Sequence, residues 1–292
     1  MNYCLWLVGS EDIAEPEFAL IKTKITSTGI GWSDDNRADF RAGRCAYKLV
    51  TSLEQQDVKE QVRVSLEGLA LDGFVIPWEQ RMLKPELIIM DMDSTLVQAE
   101  TIDQIAKHAG VMDKVSEITE AAMRGELDFK ASLKRRVSML EGLTRDQLEP
   151  VHQSLPLTNG ARELIQAARK NNCMTVLVSG GFNYFAAPIV KDLGIDEYYA
   201  NELEFENEVL TGKVVGTIVD AEFKQDTLNR LISEHGFSRA NTIAVGDGAN
   251  DLLMLGDAGL GIAFHGKPKV QHEAQAVINH LGLDAIQLLL GW

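Results

Sequence analysis

Asp91-Met92-Asp93-Ser94-Thr95 sets two carboxylates two residues apart at the end of an apolar run. On an extended backbone, residues i and i+2 point to one side, so both carboxylates can face one site. Such a pair suits covalent catalysis, one carboxylate attacking while its neighbour acts as general acid and base. A strand-end aspartate also caps the helix that follows, so the pair alone leaves both readings open. Ser179-Gly180-Gly181 ends a second apolar run and offers a hydroxyl with glycine-exposed backbone N–H groups. Those are the ingredients of a phosphate cradle, or of an ordinary glycine turn. Gly246-Asp247-Gly248-Ala249-Asn250-Asp251 ends a third run. Asp247 and Asp251, with Asp91, supply the hard oxygen donors that Mg²⁺ prefers, although an aspartate opening a helix also suits the helix dipole. Lys224 begins a helical pattern between the second and third runs. Most lysines so placed are solvated, but three carboxylates around a phosphoryl group need one cation. The four signals together point to phosphoryl transfer.

These groups need strand ends to hold them. Residues 87–90 form a continuous apolar run, as in a parallel strand buried on both faces. Residues 174–178, 242–245 and 260–264 read the same way. Helical patterns lie between them at 161–170, after a Thr158/Asn159 cap signal, at 224–235, closed by Gly236, and at 250–255, with a further helix start at 183–185. Strands alternating with helices predict an open parallel sheet whose ligands sit at the carboxyl ends of the strands. Residues 100–156 interrupt the alternation with an almost wholly helical pattern and read as a helical cap inserted after the first strand. Residues 202–219 alternate and carry Thr211-Gly212, predicting a hairpin turning there. The first 84 residues differ. Strands are expected at 3–9, 29–33, 45–51 and 73–76, and helices at 15–26 and 58–71, the second with Val62, Leu66 and Leu69 inward. That β-α-β-β-α-β order is that of a ferredoxin-like sandwich. This segment carries net charge −3 and no cluster of catalytic residue types, so it reads as a binding or structural domain, with residues 77–85 as linker.

The 292 residues predict two domains, 1–84 and 85–292. With 45% apolar and 24% charged residues, the chain can bury a core. A net charge of −15 argues against a nucleic-acid partner, whose phosphates demand clustered Lys and Arg. Cys4, Cys45 and Cys173 form neither a disulfide framework nor a metal knuckle, which fits a reducing compartment. The apolar start lacks the cationic flank of a signal peptide, and no run reaches the roughly 18 residues of a membrane span. A cytoplasmic protein with no membrane partner is the expectation. No internal repeat is present.

DMDSTLV at 91–97, Ser179-Gly180, Lys224 and GDGAND at 246–251 resemble, in order and separation, the four motifs of the haloacid-dehalogenase (HAD) superfamily of phosphatases. The likeness covers residues 85–292. Within that superfamily the chain is similar to the phosphoserine phosphatases. Glu100, nine residues after Asp91, matches the glutamate that recognises the substrate amino group there. Met123 and Phe129 match the residues that cover the substrate, and Arg136 matches the arginine that pairs with its carboxylate. Without the resemblance these four would read as a helix-start acid, cap core and a solvated base. His265-Gly266-Lys267-Pro268 stands where a similar loop is expected.

The resemblance implies an α/β fold, a HAD-like Rossmannoid sheet with a helical cap, and an amino-acid-binding, ACT-like domain at the N-terminus, for which no ligand-contact motif carries over. It implies hydrolysis of O-phosphoserine, the last step of serine biosynthesis, through an aspartyl-phosphate on Asp91, with Asp93 as acid and then base. Mg²⁺ is expected on the Asp91 carboxylate, the Asp93 carbonyl and Asp247. Ser179, Lys224 and the N–H groups of Met92 and Gly180 are expected on the phosphoryl oxygens, with Asn250 supporting them and Asp251 orienting Lys224. Another small-molecule phosphatase or a phosphotransferase on the same core stays open. So does a phosphoacceptor signalling domain, although such modules of about 120 residues need no helical insert. The oligomeric state stays open too, a homodimer included.

Overall fold

The computed structural model describes residues 2–9, 15–41, 44–77 and 84–292, with backbone alone for 15–17, 32–41, 44–48 and 123. The N-terminal unit runs β1 (Asn2–Gly9), α1 (Glu15–Ser27), β2 (Gly31–Arg41), β3 (Arg44–Val50), α2 (Gln55–Ser65) and β4 (Leu71–Pro77). Its four strands form one antiparallel sheet in the order β2-β3-β1-β4. Leu5, Leu7, Ile21, Ile25, Val58 and Val62 form the core between this sheet and its two helices. The helix expected over 58–71 ends at Ser65, because Gly68 takes a left-handed turn (φ +82°) and Leu71 already belongs to β4. Most of the expected linker lies outside the described residues.

The second unit opens with β5 (Leu87–Met90), every residue of it buried. Four helices follow, α3 (Thr101–His108), α4 (Met112–Met123), α5 (Phe129–Ser138) and α6 (Arg145–Ser154), in the stretch read as a cap. The chain then alternates: α7 (Ala161–Lys170), β6 (Met174–Phe182), α8 (Asn183–Leu193), β7 (Glu197–Glu206), β8 (Val209–Val215), α9 (Ala221–His235), β9 (Thr242–Gly246), α10 (Leu252–Asp257), β10 (Leu260–Phe264), α11 (Pro268–Glu273), β11 (Ala276–Ile278) and α12 (Ala285–Leu290). The sheet order is β11-β10-β9-β5-β6-β7-β8, parallel except for β8. β5 is therefore central, and its flanks β9 and β6 carry the other two motif loops at the same sheet edge.

Two local expectations fail. The hairpin turns at Asn207-Glu208, both left-handed (φ 49° and 66°), and Thr211-Gly212 lies inside β8. Two consecutive positive φ values suit a tight hairpin turn, and an asparagine accepts one of them readily. Gly212 instead lets β8 pass close to the cap, where an added Cβ would stand 3.0 Å from the Glu141 Cβ. Helix α7 is capped not by Thr158 or Asn159 but by left-handed Gly160, whose side-chain space is taken by Asp284.

The two units share one apolar interior: Cys4, Trp6, Val8, Phe74 and Ile76 join the same cluster as Ile278, Ile286 and Leu289. The buried Asp72 carboxylate on β4 accepts backbone N–H groups from Asn279, His280 and Leu281. From α2, the Gln56 amide donates to the His272 carbonyl (2.8 Å) and the Lys59 ammonium to the Ala274 carbonyl, both at the C-terminal end of α11. Among the described residues, no helix is long and apolar enough to cross a membrane.

Candidate active site

Asp91 continues β5, its N–H bonded to the Val245 carbonyl of β9, and its carboxylate is buried. One carboxylate oxygen accepts the Met92 N–H (2.7 Å); the other pairs with the Lys224 ammonium at 2.8 Å. Lys224 is fully buried one turn into α9 and also pairs with Asp251 at 2.7 Å. Burial works against its charge, but Asp251 and Asp91 outweigh it and hold the ammonium above its ordinary range. The second Asp251 oxygen accepts the Gly248 N–H, closing the tight loop between β9 and α10.

The chain turns sharply after Met92. Ser94 is left-handed (φ 55°), a costly conformation for a residue with a side chain, and its hydroxyl donates to Glu100 at 2.9 Å. Asp93 accepts the N–H and the hydroxyl of buried Thr101 at the start of α3 (3.2 and 3.0 Å). The carboxylate thus anchors a helix N-terminus without leaving the cleft. Burial, then Glu100 and Asp91, push the Asp93 carboxyl well above the usual carboxylate range, against those two hydrogen bonds.

Ser179 is fully buried and accepts the Gly181 N–H at 2.9 Å. An added Cβ on Gly181 would lie 2.8 Å from the Asp93 carboxylate and 2.6 Å from the Met92 methyl, so glycine there lets the first and second strand ends close on each other. The Phe129 ring, opening α5 of the cap, stands 3.2 Å from where a Gly180 Cβ would be. Beside it Lys130 pairs with Asp220, the N-cap of α9, at 2.7 Å. Arg136 is half-buried, and its Nε is buried without a hydrogen-bond partner. Burial lowers its pKa, against the pull of the Asp103, Glu100 and Asp93 carboxylates. Asn250 lies against Gly248 in the third loop. Met123 ends α4, and its side chain is outside the described residues.

Carboxylate oxygens of Asp91, Asp247 and Asp251 all come within 4.8 Å of one another. Burial raises Asp247 to about 7, helped by Asp91, Asp251 and Glu100 and opposed by Lys267; burial likewise raises Asp251 to about 6, against Lys224. An all-oxygen donor set whose members repel one another fits a hard divalent cation. Asp93 adds no carboxylate to that group. The expectation for Asp93 at the metal concerns its backbone carbonyl, so the two sets are compatible.

A family model of haloacid dehalogenase-like hydrolases matches residues 85–259, which hold all four motifs and the helical insert. The chain belongs to the haloacid dehalogenase-like hydrolases. It is 47% identical over 251 residues to a phosphoserine phosphatase of Haemophilus influenzae, covering 86% of this chain and 80% of that one. The crystal structure of a probable phosphoserine phosphatase from Vibrio cholerae, in unliganded form, superposes with a TM-score of 0.81 at 35% identity, over 99% of this chain and 86% of the other. A structure described as a phospho-aspartyl intermediate analogue of phosphoserine phosphatase superposes with a TM-score of 0.65 at 40% identity, over 70% of this chain and 97% of that one.

Sequence reasoning missed three hydrolase-cleft contacts: Thr101 on Asp93, Ser94 on Glu100 and the Lys130–Asp220 pair. Thr101 was the most accessible of them, since a hydroxyl at a helix start, eight residues after an aspartate, is a natural partner for it. The other two depend on a left-handed turn and on cap closure, which no spacing encodes.

Proposed function

We propose that the chain hydrolyses O-phospho-L-serine to L-serine and phosphate, with Asp91 as nucleophile and Asp93 as acid and base. Asp91 attacks phosphorus while the bond to the serine oxygen breaks, and Asp93 delivers its proton to that oxygen. Asp93 then takes a proton from water, whose oxygen displaces Asp91 from phosphorus. A raised Asp93 pKa supports the first role, because the acid must hold its proton at the start. The buried Lys224, Ser179 and the N–H groups of Met92 and Gly180 bind the phosphoryl oxygens. Mg²⁺, for which Asp91, Asp247 and the Asp93 carbonyl are the proposed ligands, would neutralise the phosphate against an acidic cleft. Asp251, already engaged with Lys224, keeps the ammonium in place.

The observation that carries the substrate is Arg136, a partly buried guanidinium with an unpartnered Nε that feels the Glu100 carboxylate. A free α-amino acid needs both a fixed cation and a fixed anion, and a guanidinium offers a fork to its carboxylate. Phosphate release from L-phosphoserine should exceed release from phosphothreonine and from p-nitrophenyl phosphate, and should stop on chelation and return with Mg²⁺. Arg136→Ala should raise KM for phosphoserine by about 10-fold or more, the scale of a lost charge-assisted hydrogen bond, and leave the aryl phosphate nearly unaffected. Equal losses on both substrates would make Arg136 a scaffold residue and return the chain to a broader small-phosphate hydrolase.

A further inference from the structure

β6 and β7 pair in register from Val176↔Glu197 to Val178↔Tyr199, and pairing resumes at Phe182↔Asn201. Three residues of β6, Ser179-Gly180-Gly181, therefore stand opposite one of β7, Ala200, two more than an unbroken ladder would hold. A bulge of this kind aims a loop into the cleft but strips its peptides of their ladder partners. The Asn201 side chain fills the gap. It is fully buried, its amide donates to the Gly180 carbonyl at 2.8 Å, and its side-chain oxygen accepts the Val219 N–H at 2.9 Å. Val219 directly precedes Asp220, the N-cap of the helix that carries Lys224. One amide thus ties the bulge to the run-in of α9.

We infer that Asn201 is a positioning residue for phosphate recognition: by holding the Gly180 carbonyl it fixes the Gly180–Gly181 peptide, whose N–H donates to Ser179 Oγ, and so sets the direction in which the Ser179 hydroxyl, beside the Gly180 N–H and Lys224, meets the phosphoryl oxygens. The inference rests on the proposed phosphate role of Ser179 and Gly180. Asn201 touches neither substrate nor metal donors, and acts through the orientation of the 179–181 backbone. Groups that orient a binding group through a hydrogen bond change affinity by about 10–100-fold when lost.

Asn201→Asp keeps the outline of the side chain and its acceptor for Val219, while replacing the donor to Gly180 with a carboxylate oxygen. With p-nitrophenyl phosphate as substrate, the inhibition constant for inorganic phosphate should rise about 10-fold or more, and the Mg²⁺ concentration for half-activation should stay the same. A folded variant with unchanged phosphate inhibition overturns the inference, as does an equal loss on the Mg²⁺ side, which would mark general loosening. The wild-type protein supplies a second reading that no folding defect can blur. In ¹⁵N-labelled protein the Asn201 side-chain amide should exchange slowly and shift when inorganic phosphate is added; fast exchange, or no shift at saturating phosphate, overturns it. Because phosphate is the probe, these outcomes do not depend on whether phosphoserine is the substrate, so a failure of the substrate assignment is seen separately.

Discussion

Lys224 sits between Asp91 and Asp251 with no access to water and pairs with both buried carboxylates. Lys224→Met should therefore cost more than a lost phosphate contact. Breaking a buried ion pair typically destabilises by about 3–5 kcal/mol, because the partner charges are stranded. Denaturant unfolding of this variant should show that loss, together with near-complete loss of phosphate release. Asp247 makes the opposite case. In metal-free protein it titrates near 7, and Asp251 near 6, against about 4 in an unfolded chain. The folded state then holds protons that the unfolded state has already released, so these groups cost nothing below about pH 4 and destabilise increasingly up to about pH 7. Melting temperatures of chelator-treated protein should fall across that window and level off above it. Asp247→Asn should flatten the fall and raise the melting temperature at the alkaline end; a steeper fall would contradict the assignment. Cys173 carries no such tension. Burial pushes its thiol up to about 12, so alkylating reagents at neutral pH should leave it unmodified in the native protein.

At the scale of elements, two of the contacts that fasten the cap to the sheet differ in kind. Its loop 142–145 pairs with the β7–β8 hairpin through Gly142 and Leu143 on Leu210 and through Arg145 on Glu208, and the Arg145 guanidinium stands 3.9 Å over the Phe205 ring. Near the cleft the Lys130–Asp220 pair joins α5 to α9. The first is built from backbone bonds, and the second is an ion pair with an exposed ammonium, which adds little to stability. Lys130→Ala should leave the melting temperature nearly unchanged, lower kcat/KM for phosphoserine a few-fold and weaken its salt dependence. An unchanged salt response would remove the pair from cap closure. The strands that carry chemistry were legible because burial on both faces leaves a run such as Leu87–Met90 no polar alternative. The turns were less legible. Thr211-Gly212 looks like a turn in sequence, but its glycine answers a tertiary need, the approach of Ser138 and Glu141. Asn201 was invisible for a related reason: its role arises from a register shift between two strands, and nothing within either strand announces one.

At the scale of the molecule, the N-terminal unit is not an appendage on a tether. Trp6 and Phe74 share an interior with Ile278 and Leu289, and Asp72 satisfies three peptides of the segment after β11. Removing the unit would expose that apolar face, so the isolated second unit should melt lower and aggregate more readily than the full chain. Asp72→Ala leaves three backbone donors without their acceptor and should cost about 1–3 kcal/mol in denaturant unfolding with little change in activity at low temperature. Helix α11 adds a mechanical consequence. Its six residues make a rod about 9 Å long. At one end the Lys267 N–H grips the carbonyl of Asp247, and at the other Gln56 and Lys59 grip the last carbonyls. Through this one short helix the N-terminal unit is joined by hydrogen bonds to the loop that carries Asp247, and so belongs to the frame that holds it.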